Sequence, residues 1–217
     1  MRYTLSGLMI LLCAMTQAQT TTPTTTTPPA EATAPPSMWH YGIKADFNLS
    51  NVVGTGMKST FVAGGQIGGF VVANMNKKWE LQGEVLISLD QSKRGYDFGT
   101  YFNATANAFS NETIKLTYLN VPILFRYKVA PQFSIVAGPQ VSFLINDDED
   151  LLKYNQRAFK TYAISGNLGA EYNMNNVALY ARYNLGISDI DDADAGYPNR
   201  YRWAAQHIML GIAIRFK

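Results

Sequence analysis

Residues 208–216 alternate strictly: Ile208, Leu210, Ile212, Ile214 and Phe216 share one face of a strand, while Met209, Gly211, Ala213 and Arg215 share the other. Side chains of a strand alternate with a period of two, so one side of this segment is wholly apolar and the other small or polar. A strand with an apolar outside and a polar inside belongs in lipid, and one that ends on an aromatic beside the terminus reads as the closing strand of a barrel.

The same period recurs along the chain. Eight segments carry it, at residues 39–50, 61–73, 78–89, 114–127, 133–145, 160–172, 177–187 and 204–216. No run beyond the N-terminal segment reaches the roughly 18 apolar residues that a membrane helix needs, so a membrane crossing must be made with strands. The expected fold class is all-β: an eight-stranded antiparallel transmembrane up-and-down β-barrel over residues 38–217.

Two segments precede it. Residues 1–18 combine a positive start (Arg2), an apolar stretch from Leu5 to Met15 and a small-residue end at Thr16-Gln17-Ala18, the pattern of a secretory signal peptide. Cys13 is the only cysteine and follows Leu12, where a lipoprotein signal needs a small residue, so lipidation is not expected. Without the signal the chain has no thiol, which excludes disulfides, cysteine metal sites and a cysteine nucleophile. Residues 19–37 are Thr/Pro-rich with almost no large apolar side chain, and read as a disordered linker.

Connection lengths alternate as well. Links 74–77, 128–132 and 173–176 are tight, whereas 51–60, 90–113, 146–159 and 188–203 are long and polar. Outer-membrane barrels have short periplasmic turns and long external loops, and an even strand number returns both termini to the periplasm. At the short-turn end, Tyr41, Trp79, Tyr127, Phe133, Tyr172 and Phe216 fall on the apolar face, as an interfacial aromatic girdle would. The inward set holds Lys44, Asp46, Glu80, Glu84, Arg126, Glu171, Arg182 and Arg215, four acids against four bases. Eight strands enclose a space that side chains fill, so these ions read as a mutually paired core rather than the lining of a pore.

Chemistry-bearing patterns are sparse. His40 and His207 are the only histidines and lie at opposite ends of their strands, so they share no site and read as hydrogen-bonding groups. No catalytic, cofactor or metal site is expected. The acidic stretches Asp147-Asp148-Glu149-Asp150 and Asp189, Asp191, Asp192, Asp194 depart from the EF-hand pattern and read as solvated loop charge. One link also carries Tyr96, Phe98, Tyr101, Phe102 and Phe109 with Asn103 and Asn111, a mixture suited to contacting a partner or a sugar. Pro122 and Pro139 fall inside two neighbouring strands, where a missing N–H should produce a bulge or locally broken pairing near mid-membrane.

The segment Gly42-Ile43-Lys44-Ala45-Asp46-Phe47-Asn48-Leu49-Ser50-Asn51 resembles the opening strand of the PorT-like outer-membrane β-barrel proteins of Bacteroidetes, with Asp46 where glycine is usual. Leu116-Thr117-Tyr118-Leu119-Asn120-Val121-Pro122-Ile123-Leu124-Phe125-Arg126-Tyr127 is similar to that family's most recognisable run, and Ala137-Gly138-Pro139 and Ala181-Arg182-Tyr183-Asn184-Leu185-Gly186 fit too. The resemblance implies an outer-membrane location and a link to envelope assembly or secretion, with no site residues to carry over. The expected protein is a non-enzymatic monomer acting through its external loops or as an accessory. Its partners would be outer-membrane lipid and lipopolysaccharide, the barrel assembly machinery and an envelope or secretion protein, and not nucleic acid. A lipid-modifying enzyme and a narrow solute channel are the alternatives.

Overall fold

The computed structural model describes residues 38–54, 57–95, 113–147, 159–190 and 203–216. The signal and linker readings, the 148–150 acids, Asp191, Asp192, Asp194 and the aromatic link fall outside them. Among the described residues nine strands run in chain order: β1 Trp39–Val53, β2 Met57–Lys58, β3 Val62–Asn74, β4 Trp79–Arg94, β5 Thr113–Ala130, β6 Phe133–Asp147, β7 Tyr162–Met174, β8 Val177–Gly186 and β9 Ala204–Phe216. Eight long strands pair antiparallel with their neighbours, and β9 returns to β1, which closes the barrel. Each expected strand is present, and β3 to β6 match within a few residues at the turn end.

Differences concentrate at the opposite end. β1, β4, β5 and β6 continue past the expected limits, and the two-residue β2 adds Met57↔Arg94 and Lys58↔Lys93 to the outer edge of β4. Extension there leaves β4, β5 and β6 as the tall side of the wall, which carries the longest link. The turns are held by short-range chemistry. Asn76 Oδ1 accepts the N–H groups of Lys78 and Trp79, both at 2.9 Å, and Asn175 takes the left-handed conformation (φ 52°) that a two-residue hairpin demands.

The face assignment follows the alternation. Ile43, Phe47, Ile67, Val85, Ile87, Ile123, Leu168, Leu210 and Ile212 point outward and exposed, whereas charged, amide and hydroxyl side chains share the interior with apolar ones such as Phe70, Leu86 and Leu124. The girdle aromatics meet as cross-strand pairs: Tyr41↔Phe216, Trp79↔Tyr127 and Phe133↔Tyr172. Ring centroids lie 5.9 Å apart in the first pair and 4.8 Å in the second. Phe216 thus seals the β1–β9 seam at the turn end. Replacing it by Ala, or deleting Phe216 and Lys217, is expected to lower the amount of heat-modifiable barrel recovered in outer membranes, read as a gel shift. Unchanged recovery would mean that the final aromatic has no part in assembly.

The proline expectation is met by broken pairing rather than by a bulge. The β5–β6 ladder omits Ile123 and Leu124 opposite Gly138 and Pro139, and resumes in the same register. The β4–β5 ladder likewise omits Glu84 and Val85 opposite Val121 and Pro122. The register shifts of this ladder lie elsewhere, at Thr117/Tyr118, where Ile145 of β6 is the extra residue, and at Lys128/Ala130, where Val129 of β5 is. A Cβ on Gly138 would sit 2.0 Å from the Ile123 carbonyl oxygen, so that carbonyl points across to β6, where Pro139 has no N–H to offer. The Val85 carbonyl points to β3, being 2.0 Å from where a Gly68 Cβ would lie, so the Glu84 carbonyl turns to Pro122. Two ladder bonds are therefore missing side by side. An open groove of about 560 Å³ flanks this seam, lined among others by Gly69, Gly83, Val85, Val121, Pro122 and Ile123.

Candidate functional site: the filled lumen and its outer plug

Because every second residue of each strand points inward, the interior is built in tiers from side chains far apart in sequence. At the turn end Arg126 donates from Nη1 to Glu80 at 2.8 Å and from Nη2 to Glu171 at 2.6 Å, and Lys128 reaches Glu80 at 2.5 Å. Arg215 bonds Asn173. One tier up, Glu84 receives Lys44 at 2.9 Å and both Arg182 nitrogens at 3.0 Å, and accepts a further bond from Gln82. Arg182 also lies 3.5 Å from Glu171, which joins the two tiers. Six of the eight inward ions are paired as expected. Asp46 is instead held by neutral donors, the Tyr180 hydroxyl at 2.5 Å and Gln66 at 2.7 Å.

Above these ions the tier turns to amides and hydroxyls around Asp90. Asn48 donates to one carboxylate oxygen at 3.0 Å and Ser88 to the other at 3.1 Å, and His207 Nε2 lies 3.3 Å from the second. The other His207 nitrogen lies 3.3 Å from Asn184 Oδ1. His40 is remote, 3.1 Å from the Asn74 amide at the turn end, so the histidines do not meet. The Ser88 hydroxyl bonds the carboxylate, not the imidazole, so the nucleophile-to-base contact of covalent catalysis is not formed. A cavity of about 30 Å³ remains beside His207, Asp90 and Ser165, room for about two waters.

The outer mouth is closed by an apolar cluster. Val52, Ile114, Leu116 and Tyr118 of the wall surround Phe159, Ile190 and Trp203, with Phe159 and Trp203 fully buried and their rings 5.3 Å apart. Phe159, Ile190 and Trp203 stand in links that read as polar in sequence. Asp189 fixes this arrangement by accepting the Trp203 N–H at 2.9 Å, and Lys160 reaches its carboxylate at 3.6 Å. Asp189 is thus a structural tie. Among the described residues no cluster of three or more metal-ligating side chains occurs, and no helix is long and apolar enough to cross a membrane.

Sequence reasoning missed Asp90, assigned to a loop, and the plug. Asp90 continues the inward parity of β4 and was findable by extending that strand one step. The plug residues are isolated apolar positions without period.

The chain is similar to proteins of known structure. Ail, the attachment invasion locus protein of Yersinia pestis, is 16% identical over 83% of this chain and 100% of its own, with a TM-score of 0.46. Neisserial surface protein A is 13% identical over 81% of this chain and 97% of its own, with a TM-score of 0.52, a likeness of fold alone. No curated protein matches the chain at significant similarity. The family model described as outer membrane protein beta-barrel domain matches residues 17–192, most of the chain. With a closed barrel, a lipid-facing apolar belt and this match together, the chain belongs to the outer membrane protein beta-barrel domain family and resides in the outer membrane.

Proposed function

We propose that this barrel is non-enzymatic and works through its external loops, as a surface-contact protein or as an accessory in envelope assembly or secretion of the kind the PorT-like resemblance implies. The observation that supports this reading is the blocked interior: paired ions occupy the lower lumen and the Trp203–Phe159 plug fills the outer mouth, which leaves the external surface for contacts. The link between the extended strands β4 and β5 carries Tyr96, Phe98, Tyr101, Phe102 and Phe109 in its sequence. Aromatic side chains supply large contact area at low entropic cost.

Planar-bilayer recording tests the reading directly. The wild type is expected to show no steady conductance, and Trp203→Ala with Phe159→Ala to show brief openings at most, since the ion tiers below remain. Large, ion-selective conductance in the wild type would overturn it in favour of a channel. The groove beside Pro122 supports a second reading, a lipid-modifying barrel, because it opens a way for a lipid chain to approach the wall. Lipid A mass spectra of cells with and without the protein separate the two; identical spectra leave the loop reading standing.

A further inference from the structure

Three lysines come together only because of the unexpected strand β2. Lys58 stands directly opposite Lys93 on β4, and Lys115 on β5 is opposite Gln91, one side-chain step from Lys93 on the same outward face. Met57 packs inward against the plug, which fixes Lys58 outward, and Ile114 and Leu116 point inward, which fixes Lys115 outward. Opposite residues of an antiparallel pair have Cβ atoms about 5 Å apart, and like charges so placed repel. Among the described residues no carboxylate forms an ion pair with any of the three. An arrangement of three neighbouring cations on rigid strands fits an anion with several oxygens.

Their height identifies which anion. Down the outward face of β4 the apolar belt runs Val85, Ile87, Leu89 and then gives way to Gln91 and Lys93. Lys93 is four residues past Leu89, about 13 Å along the strand and about 10 Å in height at the usual barrel tilt. That is the headgroup layer of the external leaflet, within reach of flexible ammonium groups. We propose that Lys58, Lys93 and Lys115 bind the phosphate of an outer-leaflet glycolipid of the lipid A type. The site rests on the outer-membrane location and is independent of what the loops contact. It would anchor the tall side of the barrel to the rigid leaflet.

Native mass spectrometry of the detergent-purified full chain tests it, with phosphorylated lipid A, the same lipid stripped of phosphate, and inorganic phosphate as probes. The wild type is expected to retain phosphorylated lipid A at least about tenfold better than the stripped form, and to hold inorganic phosphate only weakly. Combined Lys58→Gln, Lys93→Gln and Lys115→Gln should cut retention on the order of tenfold to a hundredfold, since each lysine near an anionic surface counts for about a factor of five. The matching Arg substitutions should preserve it. Lys77→Gln with Lys78→Gln, which removes two exposed lysines from the opposite rim, should leave it unchanged. Equal binding of the stripped lipid, or full retention by the triple Gln variant, would overturn the site. So would a lipid-free triple variant that loses its heat-stable gel form, which would show the lysines to be paired with loop carboxylates instead.

Discussion

Glu84→Leu is expected to cost about 3–5 kcal/mol of barrel stability, more than any other single truncation of the lumen. Among the described residues this carboxylate is the only ion partner of Lys44 and the closer of two for Arg182, and all three side chains are almost fully excluded from solvent. Its removal leaves Lys44 with the Tyr180 ring, 3.9 Å from the centroid, and leaves Arg182 with the longer Glu171 contact. A cation over an aromatic face returns about 2 kcal/mol even when desolvated, which is less than the penalty of an unpaired buried charge. Urea unfolding in lipid vesicles, read by the gel shift of the folded form, measures the loss. Adding Lys44→Met and Arg182→Met to Glu84→Leu should recover most of it, because the destabilising element is the orphaned charge and not the absent carboxylate. A loss under about 1 kcal/mol would mean that water reaches these ions, and the channel reading would gain.

What was legible in the sequence follows from which signals are periodic. Alternation over ten or more residues fixes strand identity, facing and register together, because a one-residue slip would turn Lys44, Glu84 and Arg182 to lipid. The girdle was visible for the same reason: Tyr41, Trp79, Phe133 and Phe216 keep both parity and level. The charge balance of the lumen could be counted, but not who pairs with whom. Asp46 and Glu84 are both inward acids, and only the register shows that Tyr180 and Gln66 claim the first while Lys44 and Arg182 claim the second.

The outer end was poorly legible because its interactions are tertiary. Phe159, Ile190 and Trp203 are single apolar residues among polar neighbours, so no window of sequence marks them as core, yet they bury as fully as any strand residue. β2 is two residues long and has no pattern of its own; its pairing with Arg94 and Lys93 is what creates the lysine group. Pro122 and Pro139 show the intermediate case. Their chemistry predicted broken pairing correctly, but whether an extra residue or a plain gap accommodates them depends on the approach of Gly138 to Ile123, which only the fold displays.

Adjacent positions on β9 provide the sharpest test of which face meets lipid. Ile212 is half exposed, stands opposite Ala45 on β1 and Leu179 on β8, and sits near the middle of its strand. Arginine at the bilayer midplane of such a barrel costs about 2–4 kcal/mol, and the cost falls toward the interfaces. Ile212→Arg is therefore expected to lose about that much in vesicles of ordinary thickness and distinctly less in thin, short-chain bilayers, where the guanidinium reaches headgroups. Ala213 points the other way, buried against Phe70, Val72, Ala178 and Tyr180 and opposite Lys44. Ala213→Arg overfills that cluster and adds a cation beside a cation, so it should cost at least about 1–3 kcal/mol from crowding alone. That loss should be indifferent to lipid length. Vesicle series of increasing chain length, with unfolding measured for both variants, thus separate the faces by slope rather than by size. A thickness-dependent cost at Ala213 with none at Ile212 would invert the barrel, and no dependence at either position would remove β9 from the hydrocarbon layer.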